Sequence, residues 1–147
     1  MAALSVSAIR QRMQAQVTTS LGAQGWKPSR FVPALFGRDT DMINPKVFSV
    51  GIGRTDISGD RQRATEGTMV YTELMVRFAW RLRADAQVAD FDAALDAEED
   101  LMVACMSASQ VDLHIKLEGI PARQMSPDGD WFLGELTFRA QHRLALI

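Results

Sequence analysis

The residues able to do chemistry are few and scattered. Gly51-Ile52-Gly53-Arg54 has the beginning of a phosphate-binding loop, in which glycines let backbone amides cradle an anion. A dinucleotide fingerprint needs a third glycine at position 56, where Asp56 stands, and a helix next, where the pattern reads as strand. Asp39/Asp41 and Asp128/Asp130 are Asp-x-Asp pairs of the kind that hold hard cations. Neither sits in a spaced ligand loop, and Ser126-Pro127-Asp128-Gly129 reads better as a turn. His114 and His142 stand alone on strand-like stretches, so no zinc set forms. Cys105, the one cysteine, falls on the apolar face of a helix, where burial leaves a thiol inert. No Gly-x-Ser-x-Gly elbow occurs. These residues predict no catalytic centre, no cofactor and no bound metal, and the chain is not expected to be an enzyme.

The element best placed to organise the rest runs from Met69 to Ala84. Val70, Thr72, Leu74, Val76, Phe78, Trp80 and Leu82 alternate with Tyr71, Glu73, Met75, Arg77, Ala79, Arg81 and Arg83. Strict alternation predicts a strand with one buried face. At about 45 Å it is far longer than the usual strand of about 5–6 residues, which points to assembly. Lys46–Ile52 predicts a shorter partner, with Phe48, Val50 and Ile52 on one side. Residues 53–68, with three arginines and three acids, predict an extended hairpin tip.

Two helices are expected. Ser5 or Ser7 caps the first, whose stripe is Val6, Ile9, Met13, Val17 and Leu21, with Gly22 as its stop. Asp90 caps the second, with Val88, Phe91, Ala94, Leu95, Leu101, Met102, Cys105 and Met106 on one face. Glu98 projects into that face. A buried carboxylate needs a partner, and Arg77, Arg81 and Arg83 are candidates unless Glu98 lies at the rim. Val111–Leu117 and Trp131–Leu144 predict two further strands joined as a hairpin.

The expected order is α-β-β-α-β-β: an α+β fold in which two hairpins make a mainly antiparallel sheet with both helices on one face. At 147 residues, one domain over 1–147 is expected. Segments 22–45 and 53–68 are the long loops. The first carries Trp26, Phe31 and Phe36, which a solvated linker would not spend, so it is expected to lie over the core or over a neighbour.

Net charge is −2, against a nucleic-acid grip by the whole surface. Arg77, Arg81 and Arg83 share one strand face with Tyr71 alone, too few aromatics for a base-stacking platform. Arg10, Arg12, Lys27, Arg30 and Arg38 precede any acid, whereas Asp85, Asp90, Asp92, Asp96, Glu98, Glu99 and Asp100 run without a base. Either both are solvated faces or one meets the other across a subunit boundary. No apolar run approaches the ~20 residues of a membrane helix, and no signal-peptide pattern opens the chain. Synthesis in the cytosol and no membrane contact are expected.

The succession of Ser5–Leu21, the hairpin 46–82, the passage from Val76-Arg77-Phe78-Ala79-Trp80-Arg81 to Asp100-Leu101-Met102-Val103-Ala104-Cys105-Met106, and an arginine-bearing closing hairpin resembles the tail terminator (tail completion) proteins of long-tailed bacteriophages and related particles. The resemblance implies a virion protein at the tail–neck junction. It implies a homohexameric ring that caps the tail tube, ends its polymerisation and meets the tube protein and the head–neck connector proteins. DNA would pass through without specific binding. On that basis Tyr71, Glu73, Arg77, Arg81, Arg83, Glu98, Arg139 and Arg143 are interface candidates, and Asp92, Asp96 and Asp100 are candidates to line the lumen. Trp26, Phe31, Phe36, Arg54, Arg61 and Arg63 are candidates for partner-contacting loops. Another head-closure or tube-associated connector, or a small ligand-binding α+β domain, is the alternative.

Overall fold

The computed structural model describes residues 3–29, 45–57 and 67–144. Helix α1 spans Val6–Leu21, begun by Ser5, whose Oγ accepts from the Ala8 amide at 3.1 Å. Ile9, Met13, Val17 and Leu21 are its buried stripe, as their spacing predicts. The stop differs in detail. Gly22 stays right-handed and begins a 3-10 turn over Gly22–Gln24, and Gly25 takes the left-handed φ of 95° that ends it.

Six strands follow in one mixed sheet: β1 (Lys27–Pro28), β2 (Lys46–Ile57), β3 (Thr68–Arg81), β4 (His114–Leu117), β5 (Ala122–Met125) and β6 (Trp131–Leu144). The order is β1-β2-β3-β6-β4, with β5 also on β6. Helix α2, Gln87–Met106, lies between β3 and β4 in the chain. The fold is thus α+β, with two departures from the expected pair of hairpins. First, β1 runs parallel to β2, so the sheet is not wholly antiparallel. Second, the closing half holds two short strands: β4 pairs with residues 138–141 of β6 and β5 with residues 132–135. The predicted third strand is shortened because Gln110 and Leu113 form a tight bridge ahead of it, leaving Val111 89% exposed.

The centre is the β3–β6 pair, in register without interruption from Thr68↔Leu144 to Arg81↔Trp131. Leu74, Val76, Phe78, Leu136, Phe138 and Ala140 are buried in one cluster with the stripes of both helices. Phe78 stands opposite Gly134, and any Cβ at that glycine would run into the Phe78 ring. Trp26 joins this core at 1% exposure. Its ring lies 6.1 Å from Phe78, 6.5 Å from Phe48 and 5.7 Å from Trp80, in the edge and tilted arrangements that aromatic quadrupoles favour.

Gly134→Ala is therefore expected to destabilise the fold by about 1–3 kcal/mol, the usual cost of overpacking. Denaturant unfolding checks it, and a change below about 0.5 kcal/mol contradicts the role given to the Phe78–Gly134 contact.

Candidate assembly surfaces

The sheet has two faces with different uses. The even-numbered face of β3 is covered by the helices, and the odd-numbered face holds the polar residues picked out above. On that outer face Arg77 does not wait for a second subunit. Its Nε donates to Glu135 Oε2 at 2.7 Å, directly across from it on β6. Arg139 lies over the Tyr71 ring with its guanidinium carbon 3.8 Å from the centroid. Glu73, opposite Arg139, rests against Gly53, where a side chain would collide with its carboxylate. Gly51-Ile52-Gly53-Arg54 is thus strand, and the extra residue between Ile52 and Thr55 makes a bulge. Arg54 pairs with Asp56 at 2.8 Å, both exposed. Arg54, Asp56, Tyr71, Glu73, Glu118 and Arg139 line a polar depression of about 200 Å³.

Glu98 is 1% exposed and its partner is Arg123 on β5, at 2.9 Å (Nε–Oε2) and 2.5 Å (Nη2–Oε1). Neither the rim position nor any of Arg77, Arg81 and Arg83 is correct. The pairing follows from β5, which turns Arg123 towards the helix layer and which the sequence pattern did not reveal. The paired carboxylate raises the Arg123 pKa. Arg83 is committed to Asp90 of its own chain, through its backbone amide at 2.8 Å and its guanidinium at 2.9 and 3.0 Å. These bonds hold the Asp90 carboxyl below its usual range. Asp90 is therefore not the helix cap: the cap position is Ala86, four residues behind it, and Asp90 grips the chain that leads in.

The charge blocks are partly neutralised within the chain. Arg12 makes a two-pronged pair with Asp112 at 2.8 and 3.3 Å, which lowers the Asp112 pKa. Arg10 reaches Gln14 and the Val50 carbonyl. On α2, Asp92, Asp96, Glu99 and Asp100 stay exposed. Trip wires for a partner are fewer than expected in the loops, because Trp26 is consumed by the core and offers no surface. Phe31, Phe36, Arg61 and Arg63 lie outside the described residues. Arg81 is exposed at the end of β3, beside a groove of about 730 Å³ lined by Lys46, Trp80, Leu82, Arg83, Asp90 and Asp130. Cys105 is fully buried, its thiol pushed up to about 12 by burial. Among the described residues no three acidic, histidine or cysteine side chains are grouped to hold a metal ion, and no helix is long and apolar enough to cross a membrane.

His142 was not legible as a structural centre. It is fully buried, its Nδ1 donating to the Leu4 carbonyl at 2.9 Å. Nε2 therefore accepts from Thr72 Oγ1 at 2.7 Å, and Thr72 in turn meets Thr55 at 3.1 Å. The signal was its inward parity with Phe138 and Ala140.

No protein-family model matches the chain, and no curated protein matches it. Among solved structures, a chain from the virion of a native gene transfer agent particle is similar over 93% of this chain and 92% of that chain. The identity is 16% and the TM-score 0.48.

Arg123→Met strands a buried carboxylate and is expected to cost about 2–4 kcal/mol, moderated because Arg123 is half exposed. Adding Glu98→Leu should recover most of the loss in the same denaturation assay. Burial also lowers the His142 pKa from its ordinary 6.5. Above that pH the imidazole is neutral folded or unfolded. Below it the unfolded chain takes a proton that the folded chain refuses, so stability falls as pH drops from about 6.5 towards 5. His142→Asn, which keeps a donor for Leu4 but does not titrate, should flatten that slope; an unchanged slope contradicts the assignment.

Proposed function

We propose that the chain is a structural subunit of a phage-like particle, forming a ring that caps the tail tube, ends its polymerisation and joins the tail to the head–neck complex. The observation that carries the reading is the β3–β6 pair: two fourteen-residue strands matched end to end. A core of this size does not need strands of that length, and their outer row carries Glu73, Arg77, Glu135 and Arg139 beside a small apolar cluster of Ala79, Trp131 and Leu133 at one end. A ring needs two different surfaces on each subunit, since a head-to-tail contact is not self-complementary. The outer sheet face, through Tyr71, Glu73, Arg81 and Arg139, supplies one in this reading. Helices α1 and α2 lie on the opposite face. Arg77 is engaged within the chain on the outer sheet face, and Arg83 and Glu98 are engaged within it at α2. Asp92, Asp96 and Asp100 would face the lumen, where like charge keeps passing DNA from sticking. No catalytic step belongs to this function.

The groove beside Trp80 favours a second reading, a ligand-binding domain, because about 730 Å³ falls in the usual range of small-molecule sites, roughly 300–1,000 Å³. Oligomeric state separates the two. Native mass measurement is expected to show six copies in the ring, and a monomer at every concentration and in particles removes the ring reading. Replacing Asp92, Asp96 and Asp100 together by lysine should leave the ring intact and slow DNA passage; unchanged infectivity with a normal ring contradicts the lumen assignment.

A further inference from the structure

Natural sheets blunt their edges, because an unpaired row of amides and carbonyls invites another strand. One side of this sheet is blunted three times. β1 covers β2 at Val47 and Phe48, Arg10 reaches the Val50 carbonyl at 3.5 Å, and the bulge after Ile52 interrupts the rest. The other side is not. β5 is exposed at all four residues and pairs only with β6 among the described residues. It carries no lysine and no bulge, and its one charge, Arg123, is drawn inwards to Glu98.

The flank of α2 beside this edge is apolar and open. Val88, expected on the apolar face with the buried residues, is instead 78% exposed, and Leu82, Gln87, Val88, Phe91 and Met125 enclose a depression of about 210 Å³. At 3.6 residues per turn, the side of α2 that turns Glu98 towards β5 continues through Leu95 and Val88 to Glu99 and Asp92. Leu95 is only partly buried, and both acids are exposed. An open strand edge, an apolar floor and an acidic rim thus lie side by side.

We propose that the outer edge of β5 and this flank of α2 form a docking groove for an extended segment of a different protein. That segment is apolar at alternate positions and basic between them. It would add to β5 as a further strand, with main-chain hydrogen bonds providing affinity and the depression accepting one apolar side chain. The acids choose the sign of its charge. Glu98–Arg123 is what holds the receiving edge in place, which explains a buried ion pair under a strand with so little core of its own. The proposal does not require a ring, although it shares Asp92 with the lumen assignment; peptide binding to the isolated chain tests it apart from DNA passage.

The test uses the whole chain and the peptide Lys-Val-Thr-Val-Lys-Val, with Glu-Val-Thr-Val-Glu-Val as its charge reversal. Saturable binding of the basic peptide is expected, with slowed amide exchange at residues 122–125. Asp92→Lys with Glu99→Lys, both at exposed positions, should weaken it about fivefold without shifting the unfolding midpoint. Peptides N-methylated at one or the other alternate set of amides should differ, since only one set meets the edge. Absent binding, equal binding of both charge forms, or protection appearing away from β5 would overturn the proposal. Protection of β5 by self-association without peptide would overturn the choice of a foreign segment.

Discussion

Everything in this fold depends on β3 and β6 holding one register over fourteen residues. Side chains alternate faces along a strand, so a slip of one residue would exchange the two rows completely. Leu74, Val76 and Phe78 would turn to solvent, and Arg77 and Glu73 would face the helices. The register is locked from several points. Phe78 packs into the space that Gly134 leaves opposite it, Arg77 pairs with Glu135 directly across from it, and His142 meets Thr72 through its neighbour position on the inner face. Steric, ionic and hydrogen-bonded constraints agree on one alignment, which is how a sequence removes competing pairings.

The helices then follow from what that sheet needs covered. α1 is polar on its outer side, with a buried stripe of four residues, and is held by Ser5 at its start and by Arg12–Asp112 on its flank. α2 is more committed. It brings Asp90 back to Arg83 at one end and sends Glu98 to Arg123 halfway along. Both acids that look anomalous on the inward side of an apolar helix are therefore anchors, each binding a different neighbouring segment to it. The exposed acids that remain, from Asp92 to Asp100, give the helix layer a strongly negative outer surface against a mixed outer sheet.

The long elements were legible because periodicity is a local signal. Helix α1, the inner face of β3 and the inner face of β6 could all be read from apolar spacing. The short strands were not. β1 is two residues long and β5 has no buried residue at all, so neither leaves an alternating pattern. Missing β5 also hid the partner of Glu98: the carboxylate was visible as a problem, but its solution lay in a strand with no apolar signature. Trp26 is the reverse case, in which the core, one of two expected places, takes the side chain rather than a neighbour. It sits among prolines and glycines, and only the tertiary fold folds it back under Phe48 and Phe78. The acid at position 90 was read as a cap because caps and entry-chain anchors use the same residue types one turn apart.

The bonds between Leu4 and the last strand have a mechanical consequence. Ala3 and Arg143 form a parallel bridge, the Leu4 amide donates to the Arg143 carbonyl at 2.8 Å, and His142 donates to the Leu4 carbonyl. Tension carried into the domain through the start of α1 and out through the end of β6 would pull these two parallel segments in opposite directions along their length. The Leu4 amide bond that belongs to the bridge and the His142 bond would then be loaded together in shear, rather than peeled one after the other. Shear makes the bonds of such a latch share the load, as unzipping does not, and the buried imidazole of His142 is one of the groups that carries it.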